Sequence, residues 1–351
     1  MVDEIKEKKR RGQLKALLDS MVEGVIVLDP HGKITLLNIV VENTFNVKEE
    51  DFLGHPLIEA IRNPELDQFL KEALATQRVR ETELEMITPV ERIFKIRAAF
   101  FGIPEEGKKG VLATFYDVTE LRKLERTKAE FVANVSHELK TPLASIKGFV
   151  ETLQEGGLDD KKNRKNFLEI IGSNVNRLDL LINDILELSK MDSGRAELNK
   201  KEFDFNILVN KILELLDPLI KKKRLEVEVK LDPAFLKVRA DQVMIEQTLL
   251  NLLDNAVKFS KDNGSIKISG EIDEFFFKVS VSDKGIGIPS EDLFRIFERF
   301  YRVDKGRSRE MGGTGLGLSI VKHSIESHGG AVKAESKIGE GSVFSFTLPR
   351  L

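Results

Sequence analysis

The sequence predicts a multidomain α+β chain: an N-terminal mixed α/β domain, a dimeric antiparallel four-helix bundle and a C-terminal α/β sandwich. Three patterns carry this expectation. Two short β-rich runs flank the turn Asp29-Pro30-His31-Gly32 near the start. The middle of the chain repeats apolar residues every three or four positions, in two segments separated by Gly156-Gly157. The C-terminal part alternates β-rich runs, amphipathic helices and glycine loops.

The 351 residues suffice for two or three domains. Hydrophobic residues at 41% and charged residues at 32% permit packed cores and exclude wholesale disorder. The net charge of −3 lacks the basic excess on which nucleic-acid binding depends, so no nucleic-acid partner is expected. Cysteine is absent, which excludes disulfides, thiolate catalysis and Cys-based zinc sites. No stretch approaches the roughly 18 to 20 apolar residues that span a bilayer. The N-terminal MVDEIKEKKRRGQLK lacks the apolar segment of a signal peptide; its basic run reads as a solvated helix start, with a juxtamembrane flank as the alternative.

Residues 12–118 form the first domain. The helix start LKALLDSM leads into GVIVLD, the Asp-Pro-x-Gly turn and KITLLN, which together make a hairpin. Further strands are expected at Arg80–Ile87, Arg92–Phe100 and Gly110–Asp117. Residues 119–191 form the second. One apolar seam runs through Val118, Leu121, Leu124, the aliphatic stem of Lys128, Phe131, Val135, Leu139, Leu143, Ile146, Phe149 and Leu153; another through Phe167, Ile170, Ile171, Asn174, Leu178, Leu181, Ile185 and Leu188. One hairpin cannot bury both seams, so a homodimeric four-helix bundle is expected. Residues 197–351 form the third: LEVEVKL, a helix from Asp241 to Ser260, SIKISGEI, FFFKVSVSD, glycine loops, a helix near Leu316–Ser327 and a final hairpin on a mainly antiparallel sheet.

The chemistry concentrates in that third domain. Asn251 and Asn255 lie four apart and share one helix face. SDKGIGIP ends a β run on Asp283 and follows it with Gly285 and Gly287, which let backbone approach a flat ligand. GGTGLGLSI opens a helix with glycines, suited to polyphosphate. Between them, LFRIFERFYRVD precedes a Gly, Ser and Arg stretch that reads as a lid. In this order and spacing the four motifs resemble the GHKL ATP-binding domain, with wording similar to that of histidine kinases. The resemblance implies ATP and Mg²⁺ as cofactors, Asn255 as the Mg²⁺ ligand and Asp283 as acceptor for the adenine amino group. It implies Gly285 and Gly287 as shapers of the pocket, Gly313, Gly315 and Gly317 as the lid hinge beside the phosphates, and Thr314 and Leu316 among the nucleotide-binding residues. Lys258 would contact phosphate, as would Arg302 on lid closure. Phe259 stands where the family commonly has Tyr, which keeps stacking and loses a phenolic hydrogen bond. Asn251 stands where hydrolysing gyrase-type relatives carry a water-activating Glu; an amide is no carboxylate base, so transfer to a positioned side chain is favoured.

Of five histidines, His31 reads as part of the turn, His55 as a weak ligand candidate, and His323 and His328 as packing or capping residues. His137 differs. It sits between seam residues Val135 and Leu139 and points away from the seam, and Pro142 permits a local bend beside it. The run SHELKTPL resembles the phospho-acceptor motif of histidine kinases (HisKA type). The resemblance implies His137 as nucleophile, Glu138 as the group that orients the imidazole and accepts its proton, and Thr141 as the residue that helps place water when a regulator is dephosphorylated.

GVIVLDPHGKITLLN and the ending GVLATFYDVTE resemble a PAS domain, with Asp117-x-Thr119 at the junction to the downstream helix. A small ligand, a partner or a purely structural dimer role remain open for it. The domain order is that of PhoR-like sensor histidine kinases. It implies autophosphorylation, transfer to a response-regulator receiver domain, phosphatase activity, and a location in the cytoplasm, or in the cytoplasmic part of a membrane-anchored sensor. A GHKL-type ATPase and an ATP-binding pseudokinase scaffold are the alternatives.

Overall fold

The computed structural model describes residues 12–88, 90–103, 108–158, 160, 162–192, 198–232, 237–304 and 313–350. The basic N-terminal run and most of the stretch read above as a lid lie outside them. The chain divides into two compact units, Met1–Glu130 and Phe131–Leu351.

In the first unit, α1 (residues 12–19) precedes β1 (Gly24–Leu28) and β2 (Ile34–Leu37). The hairpin turn forms because Asp29 Oδ1 accepts from the backbone N–H of His31 at 2.8 Å and of Lys33 at 2.9 Å, while Gly32 takes a left-handed φ of 78°. Four helices follow: α2 (Ile39–Phe45), α3 (Glu49–Phe52), α4 (Leu57–Ala60) and α5 (Pro64–Thr76). Then come β3 (Arg80–Thr88), β4 (Val90–Ile103) and β5 (Lys108–Asp117), giving an antiparallel sheet ordered β2-β1-β5-β4-β3. Asn38 is fully buried and joins three elements. Its Oδ1 accepts from Val25 N (2.8 Å) and Val41 N (3.2 Å), and its Nδ2 donates to Leu18 O (3.0 Å) and Glu23 O (2.8 Å). At the end of β5, Asp117 Oδ1 accepts from Thr119 N at 2.9 Å, and Thr119 Oγ1 accepts from Ile93 N at 2.9 Å. The junction is therefore stitched to β4.

The helix α6 (Thr119–Thr152) starts there and runs on into the second unit. It ends in a π-helical turn, Leu153–Gly157, where Gly156 reaches φ 114°, a value costly for any residue with a Cβ. The helix α7 (Arg164–Asp192) returns antiparallel, with Phe149 and Phe167 ring centroids 5.5 Å apart. The whole second seam, Phe167 to Leu188, is buried or half-buried. Leu121, Leu124 and Leu143 of the first seam stay exposed.

The rest of the second unit is the sandwich. β6 (Lys200–Phe203) pairs with β8 (Val238–Asp241), and α8 (Phe205–Lys223) and β7 (Glu226–Leu231) lie between them in sequence. Then follow α9 (Gln242–Phe259), β9 (Ser265–Ile272), β10 (Phe276–Asp283), α10 (Gly317–Ser327), β11 (Val332–Lys337) and β12 (Gly341–Pro349). The sheet is ordered β11-β12-β10-β9-β7 and is antiparallel except for the β7–β9 pair. One apolar cluster unites α8, α9, α10 and the sheet, with Phe205, Ile245, Leu249, Ile268, Val279, Ile325 and Phe346 essentially excluded from water.

Candidate active site

The sequence of α9 makes it both a wall and an anchor. Asp241 caps its first turn, accepting from Val243 N and Met244 N. Ile245, Leu249, Leu252, Leu253, Ala256 and Val257 fix one side in the core. The side left over carries Gln247, Leu250, Asn251, Asp254, Asn255 and Lys258, which line a cavity of about 470 Å³. That volume lies within the roughly 300–1,000 Å³ of small-molecule sites. The opposite side comes from Asp283, Ile286, Gly287 and Ile288 after β10, from Tyr301 and Arg302, and from Gly313, Thr314, Gly315 and Gly317 before α10. Phe259 lines it as well.

Asp283 is 7% exposed, and Gly285 N donates to its Oδ1 at 2.8 Å. Burial raises its carboxyl to about 6, against the opposing effect of hydrogen bonds from the Gly285 and Ser342 backbones. Gly287 must be glycine: its φ is 73°, and a Cβ there would sit 2.1 Å from the Lys337 carbonyl oxygen. Gly315 (φ 77°) abuts Phe300, whose N–H donates to the Gly315 carbonyl at 2.8 Å and whose own φ is 63°. A bulky residue held in that region marks a constrained site. Asn251 Nδ2 donates to Gly317 O at 3.3 Å, so the amide ties α9 to the glycine loop. Lys258 pairs with Asp254 at 2.6 Å.

Two of the expected residues stand behind the cavity lining. Leu316 does not line the cavity; it is fully buried among Leu181, Leu188 and Ile320, where an apolar side chain gains more from α7 than from a polar cleft. Gly285 does not line it either. Its backbone pairs with Ser260, and a Cβ there would lie 2.4 Å from the Phe259 carbonyl oxygen. The remaining predicted residues of the third domain all face the cavity.

His137 lies on α6 with its side chain 67% exposed. Glu138 Oε1 is 3.9 Å from His137 Nδ1, while Glu138 Oε2 accepts from Arg177 of α7 at 2.9 Å and from Arg302 at 3.2 Å. All three of these charged side chains are largely buried, at 14%, 15% and 7% exposed for Glu138, Arg177 and Arg302. Arg302 thus links the cavity rim to the residue beside His137. Thr141 Oγ1 donates to the His137 carbonyl at 3.1 Å. Two other histidines are held by local partners. His55 pairs with Glu59 at 2.8 Å on the surface. His328 is buried, shares its Nδ1 proton with Ser324 O at 2.7 Å and accepts from Asp241 N at 2.9 Å, capping α9; burial lowers its pKa and favours that neutral form.

Arg177 and Asp184 escaped the sequence reading. Asp184 lines the cavity and accepts from Thr314 Oγ1 at 2.7 Å; burial raises its pKa, and raises that of Glu187 one turn on. Both Arg177 and Asp184 are charges beside an apolar helix seam, and that is the signal by which they could be found. For Mg²⁺, no cluster of three His, Asp or Glu side chains is present among the described residues. One amide oxygen from Asn255 suits an ion that keeps several waters and takes its other ligands from phosphates.

Comparison with known proteins agrees in all three parts. The PAS domain family matches residues 22–120, the His Kinase A (phospho-acceptor) domain 127–194, and the Histidine kinase-, DNA gyrase B-, and HSP90-like ATPase family 240–351. The sensor histidine kinase WalK of Bacillus subtilis (strain 168) is 36% identical over 346 residues, covering 97% of this chain and 55% of the relative. The chain thus spans about half the length of several of the curated relatives it matches. A sensor protein kinase WalK from Staphylococcus aureus is 33% identical over 97% of this chain and 81% of its own length. The crystal structure of histidine kinase ThkA in complex with response regulator protein TrrA is 31% identical, with TM-score 0.53 over 96% of this chain and 98% of that one. The chain belongs to the sensor histidine kinases.

Proposed function

We propose that the chain binds Mg-ATP in the cavity beside α9, phosphorylates His137, and passes the phosphoryl group to an aspartate of a receiver domain. The observation that carries this is the Arg302 side chain: it lines the cavity and touches the carboxylate beside an exposed imidazole. In the reaction His137 Nε2 attacks the γ-phosphorus, the bond to the β-γ bridging oxygen breaks, and ADP leaves. The Nδ1 side faces Glu138, which takes the imidazole proton once the carboxylate turns from its arginines. Bound Mg²⁺ would neutralise charge on the β- and γ-oxygens. Asp283 would accept from the adenine amino group, with Asn255, Lys258 and Arg302 serving metal and phosphates. Thr141 would serve regulator dephosphorylation. The functional division we adopt is 12–118, 119–191 and 197–351.

Dimerisation is part of this reading. Leu168, Val175 and Ile182 are exposed at seven-residue intervals on α7, with Leu143 exposed on α6. A second copy would bury such a stripe in a four-helix bundle. In the PAS fold, a cavity of about 140 Å³ lined by Phe45, Phe94 and Phe115, with Arg92 and Asp117 also on its wall, would take a small ligand. The reaction would take place in the cytoplasm, where ATP and receiver domains are found; among the described residues no helix is long and apolar enough to cross a membrane.

The test is incubation with γ-labelled ATP and Mg²⁺, followed by addition of candidate receiver domains. The proposal expects labelled chain, absent in His137→Gln, whose label moves to one receiver domain. Released phosphate with no labelled protein at any stage would favour a GHKL-type ATPase instead.

A further inference from the structure

The carboxyl end of α9 carries Lys258 and Phe259 into the nucleotide cavity, and its last carbonyls are capped from a neighbouring helix. The last four carbonyls of a helix have no partner within it. In α9 those belong to Ala256, Val257, Lys258 and Phe259. Ala256 O accepts from Ser260 N at 3.0 Å and Phe259 O from Ile286 N at 3.3 Å. The other two are met from outside, by the last residue of α8. Lys223 Nζ donates to Val257 O at 2.9 Å and Lys258 O at 2.7 Å, and to Ser260 O just beyond the helix at 3.0 Å. An ammonium has three donors, and all three are spent here. Its positive charge also faces the negative end of the helix dipole. Lys223 is itself held, its carbonyl accepting from Asn263 N at 2.9 Å. Ser260 in turn pairs with Gly285 in the loop that follows Asp283.

We infer that Lys223, a residue outside the cavity, is a positioning residue for nucleotide binding. Its ammonium occupies a three-carbonyl cation cradle and so keeps Lys258 and Phe259 aligned with the Asp283 loop. The inference rests on the cavity being the nucleotide site.

The experiment compares wild-type, K223A and K223M full chains for ATP affinity and for the KM and kcat of His137 phosphorylation. Loss of charge-assisted hydrogen bonds at the helix end should weaken ATP binding about tenfold in both variants, raising KM while kcat at saturation changes little. K223A leaves an open cradle. Ammonium chloride should restore its affinity, tetramethylammonium chloride at equal ionic strength should not, and K223M should respond to neither. If K223A fails to fold by circular dichroism, K223M, which retains the aliphatic stem, decides by affinity alone. Wild-type affinity in the folded variants, or equal response to both salts, overturns the inference. Absence of ATP binding by the wild type would instead overturn the reading of the cavity.

Discussion

Asp283 gives the sharpest quantitative handle on the cavity. Its carboxyl lies near 3.8 in an ordinary setting and is pushed to about 6 by burial. The ionised carboxylate is a stronger acceptor for a purine amino group than the neutral acid, so protonation weakens binding. With a pKa of about 6, roughly one molecule in eleven is ionised at pH 5 and ten in eleven at pH 7, and affinity should fall about tenfold between them. Adenosine is the right probe because it carries no phosphate titrating in that range. Competition of adenosine against a fluorescent nucleotide, measured at half-unit intervals, gives the profile. Asp283→Asn should bind weakly and show no step. Stability moves oppositely. The folded state holds this proton more tightly than the unfolded state, so the contribution of Asp283 is most favourable below about pH 4 and is lost as pH rises through about 6. Ionised and buried, it costs roughly 3 kcal/mol at neutral pH, and Asp283→Asn should therefore melt higher than wild type at pH 7 and not at pH 4. His328 titrates in both proteins, so their difference isolates Asp283. A flat wild-type profile, or the same step in Asp283→Asn, would refute the assignment.

Glu138→Gln should cut the rate of His137 phosphorylation by about 10²-fold or more, with adenosine affinity unchanged, because an amide cannot take the imidazole proton; single-turnover labelling measures the rate, and competition against a fluorescent nucleotide the affinity. Thr314→Val strips the half-buried Asp184 carboxylate of its 2.7 Å donor, and amide exchange at the start of α10 should accelerate about tenfold. The pair Val175→Glu and Ile182→Glu places charge on the exposed α7 stripe, and sedimentation should then show monomer where the wild type shows dimer.

The elements that were legible in the sequence were those with an unambiguous period or punctuation. The β1–β2 turn follows from Asp29 and Gly32, the helical hairpin from its seams and Gly156, and the cavity wall from the Asn251–Asn255 spacing. The helix α8 went unassigned, although Phe205, Leu208, Val209, Ile212 and Leu216 trace one face behind the Asp204 cap. Pro218 and the run Lys221, Lys222 and Lys223 interrupt that apolar face towards its end. The two short strands β6 and β8 gave no signal because four residues carry too little pattern. Residues whose role depends on distant partners were hidden for a deeper reason. Arg177 meets Glu138 across 39 positions, and Lys223 meets α9 across 34 to 37, and neither pairing leaves a local trace. The packing of Leu316 was hidden because a glycine loop reads as wholly ligand-facing, whereas its one large side chain turns to α7.

The imidazole at position 137 is the proposed phosphoryl acceptor on which every later step depends. Peptide mapping at neutral pH after a single turnover with ATP measures this directly. The expected result is one phosphate on the peptide containing His137, lost in acid and kept in alkali, and absent from Asn255→Ala. Acid-stable phosphate on the neighbouring Ser136 or Thr141, or label elsewhere in the chain, would contradict it.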